Sequence, residues 1–193
     1  ADDDQVLYGE GLKYGTEHFP TQTKVGRPIG AFYLYRTDGL FKTNEEAASY
    51  VNESGKKLQP YADAGDIRFV DVSGDGTIDE DDKVYSGSGI PSLEINLNFS
   101  LEYKGFDLSA LIGSVWGHKI YNGNKYFYEG MNSGSNFLKS SMTSWSPSNL
   151  NTDTPRAIYN DPNGNLKESD RFLEKGDFIR LRQVQLGYSL PKT

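Results

Sequence analysis

A mainly β fold with long antiparallel strands is predicted by three observations. First, Leu93, Ile95, Leu97, Phe99, Leu101 and Tyr103 alternate without a break with Ser92, Glu94, Asn96, Asn98, Ser100 and Glu102, which gives one strand an apolar and a polar face. Second, Lys104-Gly105 is followed by another alternating run, Phe106, Leu108, Ala110 and Ile112 against Asp107 and Ser109. Two such runs joined by two residues ending in Gly read as a tight hairpin over 92–116. Third, Val184, Leu186, Tyr188 and Leu190 alternate with Gln183, Gln185, Gly187 and Ser189, so 177–190 reads as another long strand. Thirteen Tyr and ten Phe among 193 residues agree, since aromatic rings suit pleated surfaces.

The first arm of the hairpin is about twice an ordinary strand of about five or six residues. It approaches the roughly 9–11 residues that a tilted strand needs to cross a bilayer. Tyr103 and Phe106 flank the turn and Trp116 closes the far end, the positions at which membrane interfaces favour amphipathic rings. Two readings follow. The hairpin belongs either to a transmembrane β-barrel, with its apolar face to lipid and its polar face to a wet lumen, or to a soluble β-sandwich that covers the apolar face with a second sheet. Arg180 and Arg182 share the phase of Val184, so the apolar face of the last strand is expected to stop short of them, which in a barrel puts both above the lipid.

The elements before the hairpin are shorter. Gln5 to Gly15 is a moderate strand or turn region, and Ile29–Tyr35 is a strong short strand. Thr37-Asp38-Gly39 reads as a turn. Thr43-Asn44-Glu45-Glu46 reads as a capping box opening a helix over 45–52, with acidic residues placed to suit the helix dipole and Ser54-Gly55 to end it. Residues 66–72 form a strand that runs into an acidic loop, and Val84-Tyr85 precedes the loop Ser86–Gly89. After the hairpin, 117–175 is a long irregular connection rich in Asn, Ser, Gly and Tyr, with Met131, Phe137, Leu138, Trp145 and Pro147 scattered through it. A short helix near 136–143 is expected there. Connections this long suit the outer face of a barrel better than a compact soluble domain.

Composition excludes several classes. The net charge of -7 without a basic cluster argues against nucleic acid. No cysteine is present, so there is no disulfide frame, thiolate metal site or cysteine nucleophile. The mean hydropathy of -0.63 excludes a helical membrane protein but not a barrel, whose apolar residues are diluted by lumen and loop residues. His18 and His118 lack metal-ligand spacing, there is no Gly-x-Ser-x-Gly elbow, and no pair of carboxylates is singled out, so an enzyme is not expected. Ala1-Asp2-Asp3-Asp4 and Pro191-Lys192-Thr193 read as internal sequence, so the chain is expected to be a stretch of something longer.

The most specific local motif is 71–82, a twelve-residue calcium-type loop. Asp71, Ser73, Asp75, Thr77, Asp79 and Asp82 fall at positions one, three, five, seven, nine and twelve, with Gly76 at six. Ca2+ seeks hard oxygens, and short oxygen-bearing side chains at alternate positions of a tight reversal can supply them. The flanks read as strand and turn, so a structural role is expected in preference to a sensor role. Tyr121, Tyr126, Tyr128 and Trp145 are candidates for stacking on a ligand.

Taken together, these stretches resemble a known family. The residues that carry the resemblance are Gly26 to Tyr33, Asp38 to Phe41 and the helix at Glu45-Glu46. They continue through Gly65 to Asp79, Leu97 to Ser109, Trp145 to Pro147 and Asn151 to Ala157, and end with Ser169 to Phe172, Phe178 to Arg182 and Leu186 to Pro191. In order and spacing this chain is similar to a late part of the barrel of SusC/RagA-type TonB-dependent outer-membrane transporters, without plug or final strands. The resemblance implies a location in the outer membrane and energised uptake of an oligosaccharide or peptide. It also implies partnership with a SusD-like lipoprotein and the TonB complex, and contact with outer-membrane lipid. The alternative is a secreted, calcium-stabilised β module that binds carbohydrate or protein.

Overall fold

The computed structural model describes residues 20–130 and 136–190, and the backbone of three short strands before them. The terminal residues, Met131 and much of the 5–15 region lie outside the described residues. The strands are β1 (Val6–Tyr8), β2 (Lys13–Tyr14), β3 (Glu17–His18), β4 (Thr21–Lys24), β5 (Ala31–Tyr35), β6 (Thr37–Leu40), β7 (Ile67–Phe69) and β8 (Lys83–Gly87). They continue with β9 (Leu93–Tyr103), β10 (Phe106–Trp116), β11 (Lys119–Tyr121), β12 (Leu173–Lys175) and β13 (Phe178–Tyr188). Two short helices, α1 (Asn44–Ser49) and α2 (Gly123–Tyr128), complete the regular elements with three 3-10 turns at 80–82, 139–143 and 170–172.

The chain divides into two compact units, residues 1–87 with 121–173 and residues 88–120 with 174–193. The first holds a four-stranded sheet in the order β1-β4-β5-β8 and the small pairs β2-β3 and β6-β7. Its core is aromatic: Leu34, Phe41, Ile67, Phe69 and Phe172 are fully or almost fully buried. The expected turn at 37–39 is instead strand β6, paired irregularly with β7, and Gly39 supplies the positive φ of 72° that the irregularity needs. Helix α1 starts one residue earlier and ends sooner than its sequence pattern suggests. Thr43 caps it through Glu46 N–H, but the Glu46 carboxylate reaches Lys42 N–H and not the cap residue, so the box is shifted by one. The expected strand over 66–72 contracts to β7, because Asp66 and the residues after Phe69 are drawn into side-chain contacts. Much of the connection expected to be irregular is ordered by β11, α2, β12 and the 3-10 turns. Asn122, whose side chain accepts from Lys125 N–H, is the capping signal that marks α2.

The second unit is the three-stranded sheet β13-β10-β9, with eleven residues in each strand. The hairpin register runs unbroken from Phe106 opposite Tyr103 to Trp116 opposite Leu93. Lys104 and Gly105 both take positive φ, as a two-residue hairpin turn requires. Ten steps of about 3.4 Å make each strand about 34 Å long. A strand of that length would match an apolar band of about 25 Å if it were tilted by about 40°, as strands of membrane barrels are.

The last strand departs from the sequence expectation. Leu111 pairs with Gln183 but Ile112 pairs with Leu181, so Arg182 is an extra residue, a β-bulge. The bulge reverses the side-chain phase. Val184, Leu186 and Tyr188 lie across from Ala110, Leu108 and Phe106, and beyond the bulge Leu181 and Ile179 lie across from Ile112 and Ser114 on the same face. Arg180 lies across from Gly113 on the other face. Arg182 lies over Gly113 as well, for a Cβ there would stand 2.7 Å from its Nε. The apolar face therefore continues along the whole of β13, and both arginines join the polar face.

Candidate functional site

The acidic loop is built from carboxylates that take backbone amides. Asp71 accepts from Gly74 N–H at 2.6 Å and Gly76 N–H at 2.9 Å. Ser73 Oγ accepts from Asp75 N–H, Asp75 from Thr77 N–H, and Asp79 from Asp81 N–H, a repeating step of two residues that winds the loop. Gly76, with φ of 85°, makes the reversal, and its missing side chain leaves room for Asn52, whose amide bonds the Gly76 carbonyl. Bonds from the Thr77 hydroxyl and amide hold the Asp75 carboxyl below its ordinary range.

Asp82 behaves differently. It is completely buried, and its two oxygens accept Val72, Ser73 and Asp79 N–H at 2.8 to 3.0 Å. It ties the two ends of the loop together. The six sequence-predicted ligands thus share one loop, but among the described residues no three His, Cys, Asp or Glu side chains are grouped as a metal would hold them. The alternating oxygens of Asp71, Ser73, Asp75 and Asp79 suit Ca2+ in chemistry, whereas Asp82 would have to release an amide to join them.

Beside the loop, Tyr35 donates to Glu80, and burial followed by the Glu80 charge pushes its hydroxyl above the ordinary value. Lys83 pairs with Glu80 and Glu168, and the Lys167 ammonium lies over the rings of Tyr35 and Phe69.

The four aromatic candidates do not form one surface. Tyr121 and Tyr126 pack on the buried Phe172, at centroid distances of 5.8 and 5.4 Å. Trp145 packs on Gly65, where any Cβ would come within 2.4 Å of its ring. Tyr128 is exposed.

Two groups of residues that carry the family resemblance, far apart in the chain, meet at Gly65-Asp66. The fully buried Asp66 carboxylate takes a bidentate grip from Arg156, with Nε to Oδ1 at 2.8 Å and a second bond at 2.9 Å. Asn165 adds a third donor. Asn165 also accepts from Ile67 N–H, Asn163 and Gln59 donate to Ile67 C=O, and Gln59 accepts from Phe69 N–H. Three side-chain amides therefore stand in for a neighbouring strand along the edge of β7. A second buried pair, Arg171 to Glu129 at 2.7 Å, joins α2 to the 170–172 turn, and Ser140 completes the Glu129 carboxylate. Sequence reading had no local signal for either network, because the partners of Asp66 stand about a hundred residues away.

The sheet presents the opposite arrangement. Leu93, Ile95, Leu97, Phe99 and Leu101 are each about half exposed, and Leu186 is 72% exposed. Tyr103, Phe106 and Tyr188 form an aromatic row at the turn end, with Phe106 and Tyr188 4.5 Å apart, and Trp116 stands at the other end.

No family model matches the chain. It is 32% identical over 176 residues to TonB-dependent receptor P26 of Formosa agariphila, covering 89% of this chain and 17% of that protein. It is 29% identical over 169 residues to TonB-dependent receptor P3 of the same organism, covering 87% and 16%. It is 24% identical over 190 residues to TonB-dependent receptor SusC of Bacteroides thetaiotaomicron, covering 97% and 16%. The chain spans about one sixth of the length of these curated relatives. Among solved structures, the RagAB peptide transporter matches with a TM-score of 0.61 at 21% identity, over 89% of this chain and 18% of that one. The RagAB peptide importer in its open-open state matches with 0.62 at 20%, over 97% and 19%. These likenesses show a common fold.

Proposed function

From a chain that resembles SusC/RagA-type TonB-dependent receptors over most of its length, we propose that it forms part of the wall and outer loops of an outer-membrane importer of oligosaccharides or peptides, working with a SusD-like lipoprotein and the TonB complex. The observation that carries this reading is the apolar face of β9, β10 and β13, exposed along the two outer strands and half-buried along β10, continuous across the bulge and edged by aromatic rings. Such a face is costly in water and suits hydrocarbon. The alternative β module requires a second sheet over Leu93, Ile95, Leu97 and Phe99, and these side chains are exposed. The test is fractionation of the full-length protein. It is expected in the outer membrane, with the heat-modifiable migration of a folded barrel; recovery in the soluble fraction would refute the reading.

The loop at 71–82 is proposed to bind Ca2+ through Asp71, Ser73, Asp75 and Asp79 and the Thr77 carbonyl, with Asp82 moving to complete the set. The support is the spacing and the amide ladder that winds alternate oxygens around one reversal. Adding calcium should raise Tm, and Asp75→Ala should abolish that response. An equal response in both proteins, or none in either, removes the metal and leaves a hydrogen-bonded turn. Tyr128, exposed on α2, is the aromatic most available to a ligand, while Tyr121, Tyr126 and Trp145 would act by holding the surrounding loops.

A further inference from the structure

We propose that Arg180 and Arg182 form a carboxylate-binding site on the polar face of the β9-β10-β13 sheet, and that its ligand is the acid group of an imported solute. The inference rests on the pore reading above, because only a wet lumen brings solute to this face.

The argument starts from the bulge. In unbroken alternation along the strand, both arginines would share the face of Val184 and Leu186. With the bulge, Arg180 lies opposite Gly113 and Arg182 lies over Gly113. Bulges re-aim side chains, and this one moves two cations together from the apolar to the polar face. Gly113 is part of the arrangement, since a Cβ there would stand 2.7 Å from the Arg182 Nε and 2.9 Å from its Cζ. Arg180 stacks over Phe178, 5.2 Å from the ring centroid, which orients its guanidinium.

Three of the other five arginines are paired with carboxylates, whereas among the described residues Arg27, which lies over the Tyr85 ring, and Arg36 form no ion pair. Arg68, Arg156 and Arg171 each grip a carboxylate of the chain. Among the described residues, Arg180 and Arg182 have no carboxylate within 4.0 Å. Both are exposed. The neighbouring positions on this face are Glu94 across Val115, and the amides Asn96 across Gly113 and Asn98 and Gln183 across Leu111. These amides can bond the hydroxyls or peptide groups that accompany an acid group. A guanidinium offers paired N–H donors that match the two oxygens of a carboxylate, so the unspent chemistry of the site is that of an acidic solute. Lipid headgroups are the wrong source, because the lipid face is the opposite one.

The experiment uses the purified full-length receptor and four probes: trigalacturonate, maltotriose, triglutamate and trialanine. An acidic probe is expected to bind more tightly than its neutral counterpart. Arg180→Gln with Arg182→Gln should weaken that binding by about ten- to hundredfold, the range of a hydrogen bond to a charged group. The doubly Lys-substituted protein should recover part of the loss. Whichever acid responds identifies the carboxylate as that of a glycan or of a peptide. Equal binding of acidic and neutral probes, no binding of either acid, or an unchanged affinity in the Gln variant would overturn the site. Heat-modifiable migration and outer-membrane fractionation of the same preparations separate the two claims. If they hold while acid selectivity fails, only this inference falls; if they fail, the pore reading falls and takes the site with it.

Discussion

The two units of this chain solve opposite solvent problems. In the loop unit, the core rings of Phe41, Phe69 and Phe172 are hidden, and the buried carboxylates are satisfied, Asp66 by Arg156, Glu129 by Arg171 and Asp82 by backbone amides. In the sheet unit, the apolar side chains are outside and the two arginines lie on the polar face with the amides. The contrast teaches that burial is not a property of a residue type. It follows the medium each face meets, and a face of Leu, Ile and Phe that is a liability in water would be the stable choice against the lipid proposed above.

The largest effect should come from breaking the loop unit at its polar centre. Arg156→Ala strands the Asp66 carboxylate in a fully buried site and should cost about 3–5 kcal/mol, read as a fall in the denaturant midpoint. A variant that loses much less would show that water reaches Asp66 and that the unit is not sealed. On the sheet, Leu97→Arg should cost about 2–4 kcal/mol in a bilayer, whereas Asn98→Arg, one residue away on the polar face, should be close to neutral. Equal tolerance of both would erase the contrast between the faces. Deleting Arg182 should remove the bulge while Leu181 and Arg180 keep their places opposite Ile112 and Gly113, so it should be close to neutral, whereas Leu181→Arg, on the apolar face, should cost about 2–4 kcal/mol.

Smaller effects sharpen the comparison. Gln59→Ala uncovers Phe69 N–H on the edge of β7 and should cost about 1–3 kcal/mol, with faster amide exchange at Phe69 as the specific signature. The smallest response is to pH. The Asp75 carboxyl lies below its ordinary value because Thr77 donates to its ionised form. Its contribution is complete above the unfolded value and is lost as pH falls through the lower folded value. Acid titration followed by the Thr77 amide shift should show this, and Thr77→Ala should move the midpoint back toward the ordinary range.

Much of the sheet was legible because period-two alternation states both the strand and its two faces, and Lys104-Gly105 leaves little freedom in the register. The bulge was legible in principle. Ile179 and Leu181 are apolar in the phase opposite to Val184 and Leu186, and a strand with two apolar phases must slip between them. Reading only the later phase put both arginines on the wrong face. The oxygen spacing of 71–82 was plain in sequence, but the role of Asp82 as a buried clasp on three amides was not, because a carboxylate at that position suits a metal and a backbone equally well.

By itself the sequence determined what repeats locally: strand length, the split between faces, the turn and the alternating oxygens of the acidic loop. Each depends on neighbours a few residues apart, so the chain states it directly. Tertiary structure alone decided which side chains cover the edge of β7, where Arg156 finds its carboxylate, and that Tyr121 and Tyr126 spend their rings on Phe172. Those outcomes turn on desolvated polar groups finding partners across long stretches of chain, and no local pattern encodes which partner will be within reach.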